Sequence, residues 1–418
     1  MITLIEAKGY RALRYVRQPL GNFAVLVGPN ASGKTTFLDV PAFLGRLVAD
    51  GIDAAVGERS KNFQDLTWRR EGTTFELAVE VSIPHERRRN LSESYDTARY
   101  EVGLGLNGSD EVSLLTERVL LKQSSAQPPR PRALFPESAM PPDTILTQKL
   151  VAKAGAKQVI SKVADGNDNF YDETKTKGTS YNPSFKLGPR KSALANLPAD
   201  ESKFPVATWL KDYLTEGVQR LVLNSEHIRS ASPPNQGRRF KRDGSNLAWV
   251  AANLQKDDPD RFNDWMDHLS TALRDFESLR VVVREDDKHS YMMLKYRGGL
   301  EVPSWMASDG TMRMLALTLP AYLPDFRGVF LIEEPENGIH PRAVEAMLQS
   351  LSSVYDAQIL LATHSPVILS STPAEKVLCF AKDRDGATDI VVGSNHPALA
   401  AWKGETNLGT LFAAGVLG

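Results

Sequence analysis

Eight residues constrain this chain more than any others: Gly28-Pro29-Asn30-Ala31-Ser32-Gly33-Lys34-Thr35. They match G-x-x-x-x-G-K-[ST], a loop whose backbone N–H groups wrap phosphate. The apolar run Phe23 to Val27 precedes them, and Phe37, Leu38, Phe43, Leu44, Leu47 and Val48 follow at helical spacing. The loop is therefore expected in a strand-to-helix turn, where a helix N-terminus receives an anion. In that setting Lys34 reaches the β and γ phosphates and the Thr35 hydroxyl ligates Mg²⁺. The helix should run to about Ala49, with Pro41 bending it or leaving a carbonyl unpaired.

A chain of 418 residues, 42% hydrophobic and 24% charged, has ample material for a core in one large unit or two lobes. The net charge of −1 excludes nucleic-acid binding through overall charge and leaves only local patches, such as Arg238, Arg239, Lys241 and Arg242. The one cysteine, Cys379, lies in the apolar run Val377 to Phe380 and reads as a buried thiol in a reducing compartment. Met1 to Glu6 alternates like a strand and lacks a basic-then-apolar leader. No apolar run approaches membrane-spanning length, so a soluble, cytoplasmic protein without membrane contact is expected.

Alternating runs at Phe75 to Ile83, Tyr100 to Leu106 and Val112 to Leu121 predict an antiparallel β-layer beside the loop, completing a lobe over 1–123. Residues 128–142 hold six prolines and read as a stiff linker. Asp143 is a helix cap ahead of Ile145, Leu146, Leu150, Val151, Val159, Ile160 and Val163, and 165–191 reads as a mobile loop. A second helix, about 206–218, puts Trp209 and Tyr213 on one face. On this reading 124–205 is a largely helical insertion, suited to binding a partner. From 206 to 418, helices and strands alternate and imply a mainly parallel sheet covered by helices.

Val329-Phe330-Leu331-Ile332-Glu333-Glu334-Pro335 reads as a buried strand that delivers two carboxylates at its C-terminal end. Glu333 suits a Mg²⁺ ion, and Glu334 suits polarising an attacking water. Another buried strand, Gln358 to Leu361, runs into Thr363-His364-Ser365-Pro366, placing His364 to sense a γ phosphate. Ser308-Asp309-Gly310-Thr311-Met312-Arg313 opens a helix capped by Ser308 or Asp309, with Gly310 in its first turn, which is an anion-binding arrangement.

These four elements, in this order, resemble the set found in ABC-type ATPases. The likeness covers about 1–120 and 220–418 and points to the branch of RecF, the SMC proteins and the overcoming-lysogenization-defect ATPases. The chain looks most like stand-alone ATPases of prokaryotic anti-phage operons, where Glu-Glu-Pro-Glu-Asn-Gly-Ile-His-Pro, here 333–341, recurs. The resemblance implies an ABC-type α/β head that binds ATP and Mg²⁺. It makes Gly28 to Thr36 the Walker A loop (Gly28, Pro29, Asn30, Ala31, Ser32, Gly33, Lys34, Thr35 and Thr36). Glu333 stands for the usual metal-associated Asp, Glu334 is the catalytic base, and His364 is the switch histidine. Ser308 to Arg313 replaces the signature, and Asn337 to His340 fall at the D-loop. Glu333 is one methylene longer than Asp, and the glutamine loop has only Gln64 and Gln123 as candidates.

The family pairs two subunits, with each ATP between one Walker A loop and the other's signature helix. The implied function is a dimeric ATPase switch in anti-phage defence. Its effector would be a separate chain, because only about fifty residues follow His364. The alternative is a RecF-like DNA-repair or chromosome-maintenance ATPase that clamps DNA; Arg238, Arg239, Lys241 and Arg242 are the residues through which DNA or RNA would be contacted.

Overall fold

Alternation at the N-terminus produces β1 (Ile2–Tyr10) and β2 (Leu13–Pro19), and the fully buried β3 (Phe23–Val27) delivers the phosphate loop to helix α1 (Lys34–Gly57). The computed structural model describes residues 1–89, 91, 93–124, 132–147, 155–163, 165–175, 182–237, 239–324, 326–354, 357–400 and 408–413. Pro41 is accommodated inside α1. The break in helical geometry comes instead at Gly51 (φ 86°, ψ 177°), and the helix continues eight residues past the expected end at 49.

Next come β4 (Thr74–Ser82), β5 (Thr97–Leu106), β6 (Val112–Lys122), β7 (Ala156–Val163), β8 (Asp168–Phe170) and β9 (Ser184–Phe185). Helix α2 (Pro205–Asp212) passes through a π-helical turn, Tyr213–Gly217, into β10 (Val218–Leu221). Helices α3 (Leu247–Asp257) and α4 (Pro259–Ala272) precede β11 (Phe276–Val283), β12 (Ser290–Tyr296) and β13 (Glu301–Pro303). The last stretch is α5 (Asp309–Thr318), β14 (Val329–Glu333), α6 (Pro341–Ser352), β15 (Gln358–Ala362), β16 (Val377–Lys382) and β17 (Thr388–Val392).

Among the described residues the strands form three sheets. One is antiparallel, in the order β2-β1-β4-β5-β6-β7-β8-β9; one is β10-β14-β15-β3-β16-β17, parallel except for β17; and one is the small meander β11-β12-β13. Strand periodicity gives the second sheet two apolar faces. Ala24, Leu26, Val329, Leu331 and Leu360 face α1 and share a core with the antiparallel sheet. Phe23, Val25, Val27, Phe330, Ile332 and Ile359 face α3 to α6. Helix α1 is thus enclosed between two sheets, which fixes the loop at its N-terminus.

The insertion departs from the helical expectation. Thr144 to Thr147 do not start a helix. Glu76 accepts from Thr144 Oγ1 (2.8 Å) and Ile145 N (2.7 Å), and Glu101 accepts from Thr147 N (2.7 Å). These carboxylates tie the segment to the sheet in a non-helical course. Residues 148–154 lie outside the described residues. Val159 and Ile160, read as helical neighbours, are buried on β7, which pairs antiparallel with β6. A register shift between Val119 and Leu120 lets two consecutive residues of β7 face inward. β-Branched residues beside an open sheet edge favour a strand. The loop expected over 165–191 contains β8 and β9. Buried Asp168 ties it down, accepting from Lys162 Nζ (2.9 Å) and Leu187 N (2.8 Å). Residues 176–181 lie outside the described residues. Trp209 and Tyr213 do pair, with ring centroids 5.6 Å apart, but Tyr213 is 6% exposed and belongs to the core more than to a surface.

Glu117 fastens the segment before α2 to this sheet. It is fully buried and accepts from Tyr100 Oη (2.9 Å), Ser192 Oγ (2.6 Å), Ala193 N (2.5 Å) and Leu194 N (3.1 Å). Burial pushes its carboxyl up from the ordinary value, and the donors around it oppose that. Glu117→Leu leaves these donors unpaired and should destabilise the fold by about 3 kcal/mol or more. Glu117→Gln, which keeps one acceptor oxygen, should lose less. Urea unfolding of the three proteins checks the order.

Candidate active site

The loop is shaped by its neighbours. Gly28 (φ 147°) and Gly33 (φ 106°) adopt backbone conformations that L side chains rarely take. A Cβ on Gly28 would lie 2.1 Å from the Phe380 carbonyl oxygen, and one on Gly33 would lie 2.2 Å from Thr388 Oγ1. The Thr388 hydroxyl donates to Ser32 O at 2.8 Å, pinning the loop to β17. Lys34 is buried and donates to the carbonyls of Gly28 (2.7 Å) and Pro29 (2.9 Å). Burial draws its pKa down, while Glu334 and Glu333 pull it back up. The buried Ser32 hydroxyl has no hydrogen-bond partner among the described residues.

Parallel pairing brings the other predicted groups to the same place. β15 lies between β14 and β3, with Glu333 beside Ala362 and Ala362 beside Leu26. The C-terminal ends of these strands converge on a cavity of about 370 Å³, lined by Asn30 to Thr36, Glu333, Glu334 and His364. Glu333 Oε2 accepts from Thr35 Oγ1 at 2.5 Å, and Oε1 accepts from Arg220 Nη2 at 2.6 Å. Glu334 sits at φ 47°, a left-handed conformation uncommon for a residue with a side chain. It is held there by its own N–H, which donates to Ala362 O at 2.8 Å, and by Asn337 Nδ2, which donates to Oε2 at 2.6 Å. Strain of this kind persists where the surroundings over-determine it and concentrates at functional sites.

His364 leaves β15 under the control of Glu336. Glu336 Oε1 accepts from Thr363 Oγ1 at 2.6 Å and from His364 N at 3.1 Å. Burial lowers the imidazole pKa, Lys34 lowers it further, and Glu334 and Glu336 oppose both. The net shift is downward from the ordinary histidine value, which favours the neutral form. Sequence reasoning gave Glu336 no role, although it sits inside the quoted 333–341 run. It also missed Arg11 and Lys382, which line the cavity. Neither cation stands in a motif, and only the fold brings them to the loop.

Three groups of residues marked out in the sequence lie away from this cavity. Ser308 caps α5, accepting from Thr311 N at 3.1 Å, and Gly310 packs on residues 338–339, where a Cβ would lie 2.6 Å from Gly338 O. Of the described residues lining the cavity, none belongs to 308–313. Gln64 is an exposed residue of a 3₁₀ turn and Gln123 donates to Ser94, and neither glutamine-loop candidate lines the cavity. In the basic cluster, Arg239 pairs with Glu216, which neutralises part of the patch; Lys241 and Arg242 are exposed, and Arg238 lies outside the described residues. Among the described residues, no helix is long and apolar enough to cross a membrane.

Comparison with known proteins gives the fold and the family. Among solved structures, the chain is similar to an Smc head bound to the C-winged helix domain of ScpA, with a TM-score of 0.54 at 14% identity, over 93% of this chain and 97% of that one. It is also similar to the Smc head domain with an extended coiled coil bound to the C-terminal domain of ScpA from Pyrococcus furiosus, with a TM-score of 0.51 at 12% identity, over 93% and 95%. These likenesses establish an SMC head-like ATPase fold. No curated protein matches the sequence. Residues 23–370, from β3 past His364, match the family described as "AAA domain, putative AbiEii toxin, Type IV TA system". That span is most of the chain and includes every motif named above, so the protein belongs to this family of AAA-type ATPase domains.

Proposed function

We propose that the protein is an ATP-hydrolysing switch that works as a homodimer, as the ATPase regulator of a prokaryotic anti-phage system with a separately encoded effector. One observation carries the reading. The loop, two carboxylates and a histidine share one cavity, while the Ser308-capped helix lies elsewhere on the same chain. A site divided in this way is completed when a second copy brings its own helix. The type IV toxin–antitoxin context in the family's description supports the defence role.

The residues present fit ATP with Mg²⁺. Thr35 Oγ1 and Glu333 Oε2 are adjacent hard oxygen donors, as Mg²⁺ requires. Ser32 leaves a buried hydroxyl unpaired within the loop, suited to an anionic oxygen. When bound, the metal neutralises charge developing on the phosphates. Lys34 exchanges its two loop carbonyls for phosphate oxygens. Glu334, aimed by its own backbone and by Asn337, holds the attacking water and takes its proton as the water oxygen bonds to the γ phosphorus. The bond to the bridging oxygen breaks, giving ADP and phosphate. His364 donates one hydrogen bond to the γ phosphate.

Glu334→Gln should keep ATP binding and slow turnover by about 10²-fold or more. Lys34→Ala should lose binding of the triphosphate. Steady-state phosphate release and equilibrium binding of a fluorescent ATP analogue separate the two, and unchanged turnover in Glu334→Gln removes Glu334 from the mechanism.

ATP should convert Glu334→Gln from monomer to dimer in light scattering. Mixing Lys34→Ala with Ser308→Arg subunits should restore about one functional site per dimer, since a shared site needs the loop of one copy and the helix of the other. A fully active monomer at high dilution would overturn the shared site.

A further inference from the structure

One cation outside the catalytic set holds the carboxylate assigned to the metal. Arg220 lies on β10, the edge strand beside β14, in parallel register with Leu331. Strand alternation puts Val218 and Arg220 on the face of the sheet toward α1, the face that also carries Val329 and Leu331 and, two residues on, Glu333. From there Arg220 Nη2 reaches Glu333 Oε1 at 2.6 Å, while Thr35 takes Oε2. The two oxygens of one carboxylate are thus divided between a guanidinium and the hydroxyl of the phosphate loop.

We propose that Arg220 is the positioning residue for Glu333, holding it so that Oε2 faces the metal beside Thr35. The inference rests on the metal role given to Glu333 above. The reason lies in the side chain. A glutamate at this position has one more rotatable bond than the usual aspartate, so its carboxylate samples more placements unless something fixes it. Arg220 fixes it by occupying the oxygen the metal does not use. The edge strand is itself tightly placed. A Cβ on Gly328 would lie 2.2 Å from Gly217 O, so the turn entering β10 abuts the turn entering β14 and sets the reach of Arg220.

Two effects oppose this role. With side-chain exposures of 38% and 26%, the pair is only partly shielded, and such ion pairs contribute little to stability. A cation near Mg²⁺ also repels it. If positioning wins, loss of Arg220 weakens metal binding. If repulsion wins, it strengthens metal binding. The sign of the change therefore decides between the two.

The experiment titrates Mn²⁺ into the full chain with a non-hydrolysable ATP analogue and reads bound metal by electron paramagnetic resonance. Nucleotide binding in EDTA serves as a metal-free control. Arg220→Ala should bind the nucleotide normally without metal and should weaken Mn²⁺ binding about tenfold, the scale for residues that orient metal ligands. Arg220→Gln, which keeps a neutral donor, should recover part of the loss and replaces the alanine variant if that one fails to fold. In phosphate release, the metal concentration for half-maximal rate should rise while the rate at saturating metal stays near wild type. Unchanged or tighter Mn²⁺ binding in both variants overturns the positioning role. Failure of the wild type to bind Mn²⁺ with nucleotide, or wild-type affinity in Glu333→Ala, overturns the underlying assignment of Glu333 instead.

Discussion

The phosphate loop depends on close contact with strands that come more than three hundred residues later. Gly28 faces the backbone of Phe380, and Gly33 faces the side chain of Thr388. Thr388 closes the contact with a hydrogen bond to Ser32 O, and its own N–H donates to Ala12 O at 3.0 Å. A turn built from glycines is intrinsically loose, because glycine loses the most conformational freedom on ordering. Here that cost is offset by pressing the turn against β16 and β17, so the loop is shaped by the end of the chain as much as by its own residues.

The parallel sheet orders the remaining groups. Five of its strands run in one direction and so bring their C-terminal ends to one side, where ligands of open α/β sheets collect. β3 contributes the loop, β14 the two carboxylates and β15 the histidine. The same periodicity that buries Leu331 against α1 directs Glu333 toward Thr35 at that helix's first turn. Chemistry and packing therefore obey one register, and a one-residue slip of β14 would exchange Glu333 with a residue of the opposite face.

Much of this was readable beforehand because it is local. The loop motif, the four apolar residues before Glu333 and the cap at Ser308 each carry their signal within a few residues. The strands over 74–82, 97–106 and 112–122 were legible from alternation alone. The rest needed contacts distant in sequence. Val159 and Ile160 are consecutive, and only the register shift in the β6–β7 pairing tells that both point inward along a strand. Ile145 and Thr147 resemble the start of a helix, and nothing local shows that Glu76 and Glu101 tie their N–H groups to the sheet. Arg11, Arg220 and Lys382 reach the site from three separate strands or turns, with no motif to mark them. Within 333–341, Glu336 was visible as a letter, but its hold on Thr363 and His364 exists only once β14 and β15 lie side by side.

The antiparallel sheet also shows how such a protein can change size without losing its machinery. β1, β4, β5 and β6 face α1 and brace it, while β7, β8 and β9 are stacked one after another beyond β6. The strands at this margin shorten outward from eight residues to three to two. A tapering margin is a poor template for pairing with another chain, since it offers few backbone groups in line. It is also the place where residues could be gained or lost with every pairing between β1 and β6 left intact. None of the described residues lining the cavity comes from β7, β8 or β9.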